Sequence, residues 1–340
     1  MEIHLKNIGM IKGANVKFDG LTVIAGENDT GKSTLGKSLY FLMTFLLDIN
    51  KVIDNNFTKN EEKRLLRLSK LIFDNQLSNK SSFALKTEVG FYQFGIEDND
   101  ISHENDFEIK IDKDDLKLPI MIETPLVWNL SKFFNQMANI QSQAGIFGDE
   151  LSIDYPFLLK DLHFRLMVGS TKESYHVEDE ICTLINGKFK KDELGNYYFE
   201  RENKKISLLN TATGIKYFGI FQVLSQNNYL NENTVLVLDE PEVHLHPKWQ
   251  LEMAKVIVEL VKNGVKILVN SHSPYMIEAL QRYSELEEIT ADFYLAEDGY
   301  IKKVNESNSE TLAKIFEKLS EPFDTFEKMD SQRMEKLVNG

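Results

Sequence analysis

The stretch Ile24-Ala25-Gly26-Glu27-Asn28-Asp29-Thr30-Gly31-Lys32-Ser33-Thr34 decides how this chain is expected to fold. It has the spacing G-x-x-x-x-G-K-S. The apolar residues Leu21-Thr22-Val23-Ile24 precede it, and an apolar helical pattern from Leu35 to Leu47 follows it. A strand, a glycine-rich turn and a helix in that order form a loop whose backbone N–H groups surround phosphate oxygens. The sequence therefore predicts a phosphate-binding loop.

Several residues of this loop are candidates for binding a nucleotide. The glycines leave room for backbone N–H groups to close on a phosphate, and the positive end of the following helix faces the same anion. Lys32 is expected to reach the β- and γ-phosphates, which makes it a catalytic candidate as well, and the Ser33 hydroxyl is expected to ligate Mg²⁺. The predicted nucleotide-binding positions are Gly26, Asn28, Gly31, Lys32, Ser33 and Thr34.

The composition is that of a globular protein with room for two or three domains. Of 340 residues, 42% are hydrophobic and 27% are charged, and the net charge of −14 excludes a uniformly basic nucleic-acid-binding surface, although not a local basic patch. Cys182 is the single cysteine, so no internal disulfide is predicted. The first residues carry no secretory signal, and the apolar run Leu39–Leu47 is too short to span a bilayer. We therefore expect a cytoplasmic protein without a membrane segment.

Alternating strand and helix patterns predict a largely parallel sheet that binds ligands at the carboxyl ends of its strands. The patterns indicate a hairpin over 1–20, helical structure over 50–79, short strands within 83–111, a strand over 118–124, a basic hairpin over 185–208, strands over 234–240 and 265–270, an edge strand over 292–295, and tail helices over 309–319 and 323–337. The predicted divisions are an N-terminal part of a nucleotide-binding head (1–50), a helical and β insertion (51–205), a C-terminal part of the head (206–300) and C-terminal helices (301–340).

The second half of the chain supplies acidic residues at the end of an apolar strand. Val235–Leu238 leads directly into Asp239 and Glu240. If this strand neighbours the phosphate loop, Asp239 is placed to hold Mg²⁺, directly or through water, as a second metal anchor beside Ser33. Glu240 is then placed to accept a proton from an attacking water or to orient it. The alternative is an unrelated core strand that happens to end in acids.

The nine residues Asp239-Glu240-Pro241-Glu242-Val243-His244-Leu245-His246-Pro247 resemble the DEPExHLHP box of ABC-type ATPases in the SMC, RecF and OLD (overcoming lysogenization defect) group. The resemblance covers residues 1–47 and about 205–300. It implies an ABC-type P-loop NTPase head, an α/β fold in which helices flank a mixed or parallel sheet, with a helical and β insert and a C-terminal helical tail. A metal site at His244 and His246 is a rival interpretation of the same box.

Four further residues have counterparts in the motifs of the same family. His272, in Val269-Asn270-Ser271-His272-Ser273-Pro274, is similar to the switch histidine, which contacts the γ-phosphate and senses hydrolysis. Thr213 and Gly214 open a helix where the family has the Ser-Gly of its signature motif, which binds the γ-phosphate held by a second subunit. A simple helix cap at Thr213 is the alternative. Glu123 stands where the family typically has the glutamine of its Q-loop.

The resemblance implies a slow, regulatory ATPase that forms a homodimer, or a higher homo-oligomer, around ATP and Mg²⁺. Each nucleotide would lie between Lys32 of one subunit and Gly214 of the other. Because the chain ends at Gly340, soon after the last core strand, it is expected to lack the Toprim nuclease domain of OLD proteins. In this respect it looks like the ATPase subunits of Septu-type and abortive-infection systems, which act with a separate nuclease or toxin in defence against phage.

Three other functions stay open at the level of the sequence. A RecF-like or SMC-like DNA-repair ATPase would use a group of basic residues as a nucleic-acid contact, although the same residues suit an exposed, soluble hairpin. This group consists of Lys188, Lys190, Lys191, Arg201, Lys204 and Lys205. An ABC transporter ATPase is disfavoured by the acidic box and by the altered signature motif. A binding module that holds ATP without turnover would share the whole phosphate loop.

Overall fold

A computed structural model of the protein shows one large mixed sheet with helices on both of its faces. It describes residues 1–49, 59–74, 77–87, 91–97, 100–102, 117–146, 156–171 and 177–339. The strands are β1 (Glu2–Ile8), β2 (Ile11–Lys17), β3 (Leu21–Ala25), β4 (Leu77–Lys86), β5 (Phe91–Glu97), β6 (Asp100–Ser102), β7 (Leu118–Ile122), β8 (Lys188–Lys191), β9 (Tyr197–Arg201), β10 (Lys204–Ile206), β11 (Thr234–Asp239), β12 (Lys266–Ser271), β13 (Ala291–Glu297) and β14 (Tyr300–Lys302). The helices are α1 (Lys32–Ile49), α2 (Lys59–Phe73), α3 (Val127–Ile146), α4 (Phe157–Met167), α5 (Glu178–Ile185), α6 (Thr213–Gln226), α7 (Pro247–Lys262), α8 (Pro274–Leu286) and α9 (Asn308–Asn339).

The strands of the main sheet fall into a parallel part and an antiparallel part. Within the described residues, eleven strands follow the order β6-β5-β4-β1-β2-β14-β13-β3-β12-β11-β7. The five strands from β13 to β7 are parallel to one another, whereas β1, β2, β4, β5 and β6 pair antiparallel. The hairpin predicted at 185–208 is a separate antiparallel sheet of β8, β9 and β10. The predicted α/β class, with helices flanking a mixed sheet, is confirmed.

Helices cover both faces of the parallel part because successive side chains of a buried strand point to opposite sides. On one side Ile24 and Leu268 belong to the same apolar cluster as α1, in which Leu39–Met43 is almost inaccessible to solvent. On the other side Val23 and Val269 share a cluster with α6, α7 and α8. Among the residues that the structure describes, none of the helices combines the length and the apolar character that a membrane crossing requires.

The register of the parallel strands brings several loops to one edge of the sheet. Ile24 of β3 pairs with Asn270 of β12, and Asn270 pairs with Asp239 of β11. Neighbouring strands lie about 5 Å apart. The loops that follow β3, β12 and β11 therefore leave the sheet side by side.

β13 is an interior strand, so the predicted edge strand over 292–295 is wrong. It pairs with β3 on one side and with β14 on the other, and β14 also pairs with β2. The turn Asp298-Gly299 joins β13 to β14, and both of its residues have a positive φ (53° and 84°). β14 is only three residues long, too short to be recognised as a partner strand from the sequence pattern.

The tail is one helix, so the prediction of two separate tail helices is wrong. α9 runs from Asn308 to Asn339 and continues through Pro322. An internal proline removes one backbone hydrogen bond, but helix-favouring Glu and Lys residues lie on both sides of it. The described side chains from Glu321 to Leu337 are all exposed.

The segment predicted as an insertion contributes strands to the main sheet. β4, β5 and β6 extend the sheet beyond β1, and β7 forms its other edge beside β11. The helix predicted within 50–79 is shorter than expected, because α2 ends at Phe73 and β4 begins at Leu77. The predicted strand at 107–111, and most of the chain between β6 and β7, lies outside the described residues.

A buried histidine between α3 and α4 makes the stability of the fold sensitive to acid. His163 Nε2 lies 3.0 Å from Ser131 Oγ, and burial lowers the pKa of His163 to about 4. The unfolded chain binds this proton near pH 6.5 and the folded chain does not, so stability is lost as the pH falls from about 6.5 towards 4. We expect His163 to reduce the free energy of unfolding by about 1–2 kcal/mol between pH 7 and pH 5.

Urea unfolding of the wild type and of His163→Gln at the two pH values measures this contribution. Glutamine keeps a hydrogen-bonding group for Ser131 but has no titrating ring. The variant should therefore lose less stability on acidification than the wild type. Equal losses in the two proteins would show that another group causes the acid sensitivity.

Candidate functional site

The phosphate loop joins β3 to α1 at the edge where the parallel strands end. α1 begins at Lys32, and the Leu35 N–H donates to the Gly31 carbonyl oxygen (3.0 Å). Gly31 has a φ of 95°, in the left-handed region that favours glycine. A Cβ on Gly26 would lie 2.3 Å from the carbonyl oxygen of Ala296 on β13. The path of the backbone therefore requires both glycines that define the predicted motif.

Lys32 is buried within its own loop. Its Nζ donates to the carbonyl oxygens of Gly26 (3.0 Å) and Glu27 (2.6 Å), and the residue is only 4% exposed. Burial lowers the pKa of Lys32, whereas the nearby carboxylates of Glu240 and Asp239 act in the opposite direction. This ammonium lies at the N-terminus of a helix, where anions are favoured. It is therefore placed to exchange the loop carbonyls for phosphate oxygens.

Asp239 and Ser33, the predicted Mg²⁺ ligands, meet in the structure. Burial raises the pKa of Asp239, while hydrogen bonds from Asn270 and from the Ser33 hydroxyl oppose that rise. Asn270 Nδ2 lies 2.8 Å from Asp239 Oδ1. A hydroxyl and a carboxylate are hard oxygen ligands of the kind that Mg²⁺ prefers, so the donor set fits this ion.

This pair of ligands is incomplete for a metal on its own. In the part of the chain that the structure describes, no group of three or more His, Cys, Asp and Glu side chains is arranged to hold a metal ion. Mg²⁺ commonly keeps several waters and binds through one or two protein groups plus substrate phosphates. Mg²⁺ at Ser33 and Asp239 would therefore depend on a phosphate ligand.

Glu240 and His272 face each other beside this pair. Glu240 has a φ of 50°, and its N–H donates to the Asn270 carbonyl oxygen (2.9 Å). His272 Nδ1 lies 3.3 Å from Glu240 Oε1, and the two side chains are 39% and 32% exposed. A strained backbone at an acidic residue is typical of a functional site, and the partial exposure leaves both side chains accessible to a ligand.

The predicted signature residues lie against the acidic box rather than in the phosphate loop. A Cβ on Gly214 would meet Leu245 Cδ2 at 3.0 Å and the His244 carbonyl oxygen at 3.6 Å. Ala212, not Thr213, is the residue that precedes the helix, and it makes no side-chain cap. The interpretation of Thr213 as a helix cap is therefore wrong, and the first turn of α6 has no capping side chain to occupy its N–H groups.

Within the described residues, the two histidines of the box belong to no group of three or more His, Cys, Asp and Glu side chains that could hold a metal ion. His246 precedes α7, and its Nδ1 accepts a hydrogen bond from the Lys248 N–H (3.3 Å). His244 has a φ of 67° in the loop before it. His246 is thus a helix cap, which accounts for it without a metal.

Most of the basic group of the hairpin is engaged within the protein, including Lys205, whose Nζ lies 4.9 Å from the centre of the Tyr198 ring. Lys190 pairs with Glu200 (2.5 Å), and Lys191 Nζ donates to the Met167 carbonyl oxygen (3.0 Å). Arg201 donates to the carbonyl oxygen of Ile185 (2.7 Å). These contacts favour a structural role for the hairpin over the alternative of a continuous nucleic-acid contact.

Three polar residues at this edge were not predicted to have a role. Asn270 binds Asp239, Glu242 binds the loop that carries His272, and Lys37 pairs with Glu123 at the end of β7 (3.1 Å). In the sequence, Glu242 is one residue of the acidic box, and nothing in the pattern indicates its contact with the His272 loop. Asn270 and Lys37 carry no local signal, because their roles depend on which strands are neighbours.

A comparison with protein-family models finds one match. The model AAA_15, described as an AAA ATPase domain, matches residues 159–277. This range is about a third of the chain and contains Asp239, Glu240 and His272, but not the phosphate loop. The match supports an ATPase that binds a nucleotide. A search of curated proteins gave no match.

Solved structures with a similar arrangement include SMC heads, RecF and ATP-binding cassettes of transporters. An SMC head from Pyrococcus furiosus, bound to the C-terminal domain of ScpA, has 14% identity and a TM-score of 0.49, covering 94% of this chain and 99% of that one. The SMC head from Thermotoga maritima has 11% identity and a TM-score of 0.42, with 88% and 96% covered. The recombination mediator RecF has 13% identity and a TM-score of 0.44, also with 88% and 96% covered.

The close approach of the phosphate loop to β13 predicts a steric effect of a single methyl group. Gly26→Ala would place a Cβ against a backbone carbonyl that cannot move aside cheaply. We expect a loss of about 1–3 kcal/mol in the free energy of unfolding. Gly169→Ala is the matched control, because its Cβ would meet its nearest neighbour, the Asn227 carbonyl oxygen, at an ordinary 3.7 Å. Thermal or urea unfolding of both variants measures the difference, and equal stability of the two would contradict the loop geometry.

Proposed function

We propose that this protein is a regulatory ATPase that closes as a homodimer around ATP and Mg²⁺ and passes its nucleotide state to a separate effector protein. The observation that supports the ATPase is the convergence of three loops at the ends of adjacent parallel strands. These loops bring Lys32, the Ser33–Asp239 pair and the Glu240–His272 pair together. A binding module without turnover would need neither the second acid nor the histidine.

Each side chain has a distinct role in this proposal. Lys32 releases the carbonyl oxygens of its loop and binds the β- and γ-phosphate oxygens. Ser33 and Asp239 would hold Mg²⁺, which neutralises charge on the phosphate oxygens when bound. Glu240 orients the attacking water or accepts its proton. His272 donates to the γ-phosphate through Nε2, since its Nδ1 faces the carboxylates.

The homodimer is proposed because none of the three nearest neighbours of a Cβ placed on Gly214, in the first turn of α6, belongs to the phosphate loop of its own chain. Gly214 contacts the loop after β11 instead. A glycine at an uncapped helix N-terminus is suited to binding the phosphate of a second subunit. ATP between two heads would bind the closed state more tightly than the open one, which is what a switch requires.

The effector part of the proposal derives from the similarity to ATPase subunits of anti-phage defence systems. There a nuclease or toxin is a separate chain. The exposed half of α9 carries large apolar side chains, including Phe326, Met329 and Leu337, each more than half exposed. Such exposed apolar residues on a helix are suited to a protein contact. Copurification of a co-expressed effector with and without ATP tests this part.

Glu240→Gln tests the hydrolytic role most simply. We expect ATP to bind with an affinity close to that of the wild type, while the rate of phosphate release falls by about a hundredfold or more. Lys32→Ala should instead weaken ATP binding itself, because it removes the cation of the phosphate loop. Equilibrium binding of labelled ATP and a phosphate-release assay separate the two effects.

Glu193→Gln, in the exposed turn of the β8–β9 hairpin, is the matched control for loss of one carboxylate. It should keep the turnover of the wild type. A Glu240→Gln protein that turns over ATP as fast as this control would remove Glu240 from the mechanism. A wild type that neither binds nor hydrolyses ATP would overturn the proposed function as a whole.

A charge at Thr213 tests the homodimer. Thr213→Glu places a carboxylate at the start of α6, where it would repel the phosphate of a nucleotide held by the partner. Both proteins in the comparison carry Glu240→Gln, so that ATP is not hydrolysed. We expect Glu240→Gln alone to dimerise with ATP, and the double variant with Thr213→Glu to bind ATP but stay monomeric. Thr213→Gln is the neutral control of similar size and should still dimerise. Analytical ultracentrifugation provides the measurement, and dimers of Thr213→Glu at the same ATP concentration would contradict the arrangement.

A further inference from the structure

Glu242 binds three consecutive residues of the loop that carries His272. It lies after β11 in the acidic box and is 4% exposed. Its Oε1 accepts hydrogen bonds from Ser271 Oγ (2.7 Å), from the His272 N–H (2.9 Å) and from the Ser273 N–H (3.2 Å). One carboxylate oxygen thus holds the Ser271 hydroxyl and the backbone N–H groups of His272 and Ser273.

The same oxygen also faces the imidazole of His272. His272 Nδ1 lies 3.6 Å from Glu242 Oε1 and 3.3 Å from Glu240 Oε1. Nδ1 makes no hydrogen bond within the described residues, but both carboxylates attract a proton to it by charge, and the neutral ring then has Nε2 as its acceptor nitrogen. For Nε2 to donate to a phosphate, that nitrogen must also carry a proton, and the two carboxylates lie behind the ring to offset the resulting charge. The Glu240 side chain is about one-third exposed, whereas Glu242 is buried and held by three hydrogen bonds.

A carboxylate is a costly choice at this position if its only role is to accept hydrogen bonds. Its second oxygen, Oε2, is buried and has no hydrogen-bond partner among the described residues. Leaving a buried charged oxygen unpaired costs free energy. A neutral side chain could accept the same backbone hydrogen bonds at lower cost. The negative charge itself therefore has a use at this position.

We propose that Glu242 is a positioning residue that holds the His272 loop in place and keeps the Nδ1 proton of the imidazole directed at the carboxylates. It acts through His272 and touches no reacting atom. The expected effect on kcat rests on the proposed ATPase function, whereas the geometry of Glu242 and His272 does not. Ser273 Oγ also donates to Gln250 Oε1 on α7 (2.6 Å), and this buried hydrogen bond anchors the His272 loop to a core helix.

A double-mutant cycle tests whether Glu242 acts through His272. Glu242→Gln keeps an oxygen that can accept the three hydrogen bonds and removes the charge. In the wild-type background we expect kcat to fall about tenfold or more, with the affinity for ATP little changed. In a His272→Ala background the same substitution should have almost no further effect on kcat. Equal losses in the two backgrounds, or a loss that lies in ATP affinity, would assign Glu242 a merely structural role and overturn the proposal.

A measurement on the unaltered protein covers the case in which Glu242→Gln fails to fold. In ¹⁵N-histidine-labelled wild type, the His272 signals are assigned by their absence from His272→Ala. We expect the neutral imidazole to carry its proton on Nδ1. A proton on Nε2 instead would overturn the proposal, whatever the kinetics of the variants. Because the tautomer is read without nucleotide, it tests this inference even if the protein proves not to hydrolyse ATP.

Discussion

The pairing of β3, β12 and β11 is the constraint on which the site depends. These strands are parallel and in register, so Ile24, Asn270 and Asp239 lie in one row across the sheet. The phosphate loop, the His272 loop and the acidic box all begin at or just after this row. Both faces of these strands are buried, so a shift of one residue in either pairing would exchange the side chains of the two faces and disrupt the packing of both apolar clusters. The apolar clusters on both faces therefore hold the functional loops in position.

The site concentrates negative charge around one buried ammonium. Asp239, Glu240 and Glu242 all act on the pKa of Lys32, which donates to loop carbonyl oxygens and to no carboxylate within the described residues. Burial raises the pKa values of Asp239 and Glu242, which means that their ionised forms are costly there. A divalent cation would relieve this charge. The proposed Mg²⁺ would therefore offset negative charge that the chain leaves uncompensated around Asp239.

The part of the site that could be predicted from the sequence is the part set by residues close together in the chain. The spacing from Gly26 to Ser33 and the apolar strand before Asp239 each constrain the backbone over a few residues, and the structure has the predicted strands and helices there. The contacts of Asn270 and Glu242 join residues about 30 positions apart, and they exist because β11 and β12 are neighbours. Helix and strand patterns in a sequence do not show which strands will be adjacent in the sheet. For the same reason β13 was mistaken for an edge strand, since its partner β14 is too short to be recognised.

The most direct test of the central claim is the linkage between Mg²⁺ and ATP binding at Asp239. Fluorescent ATP is titrated into the wild type and Asp239→Asn, once with Mg²⁺ and once with EDTA. If Lys32, Ser33 and Asp239 form one Mg²⁺–triphosphate site, the substitution should weaken binding with Mg²⁺ and have little effect in EDTA. Equal weakening under both conditions, or no ATP binding by the wild type, would contradict the account.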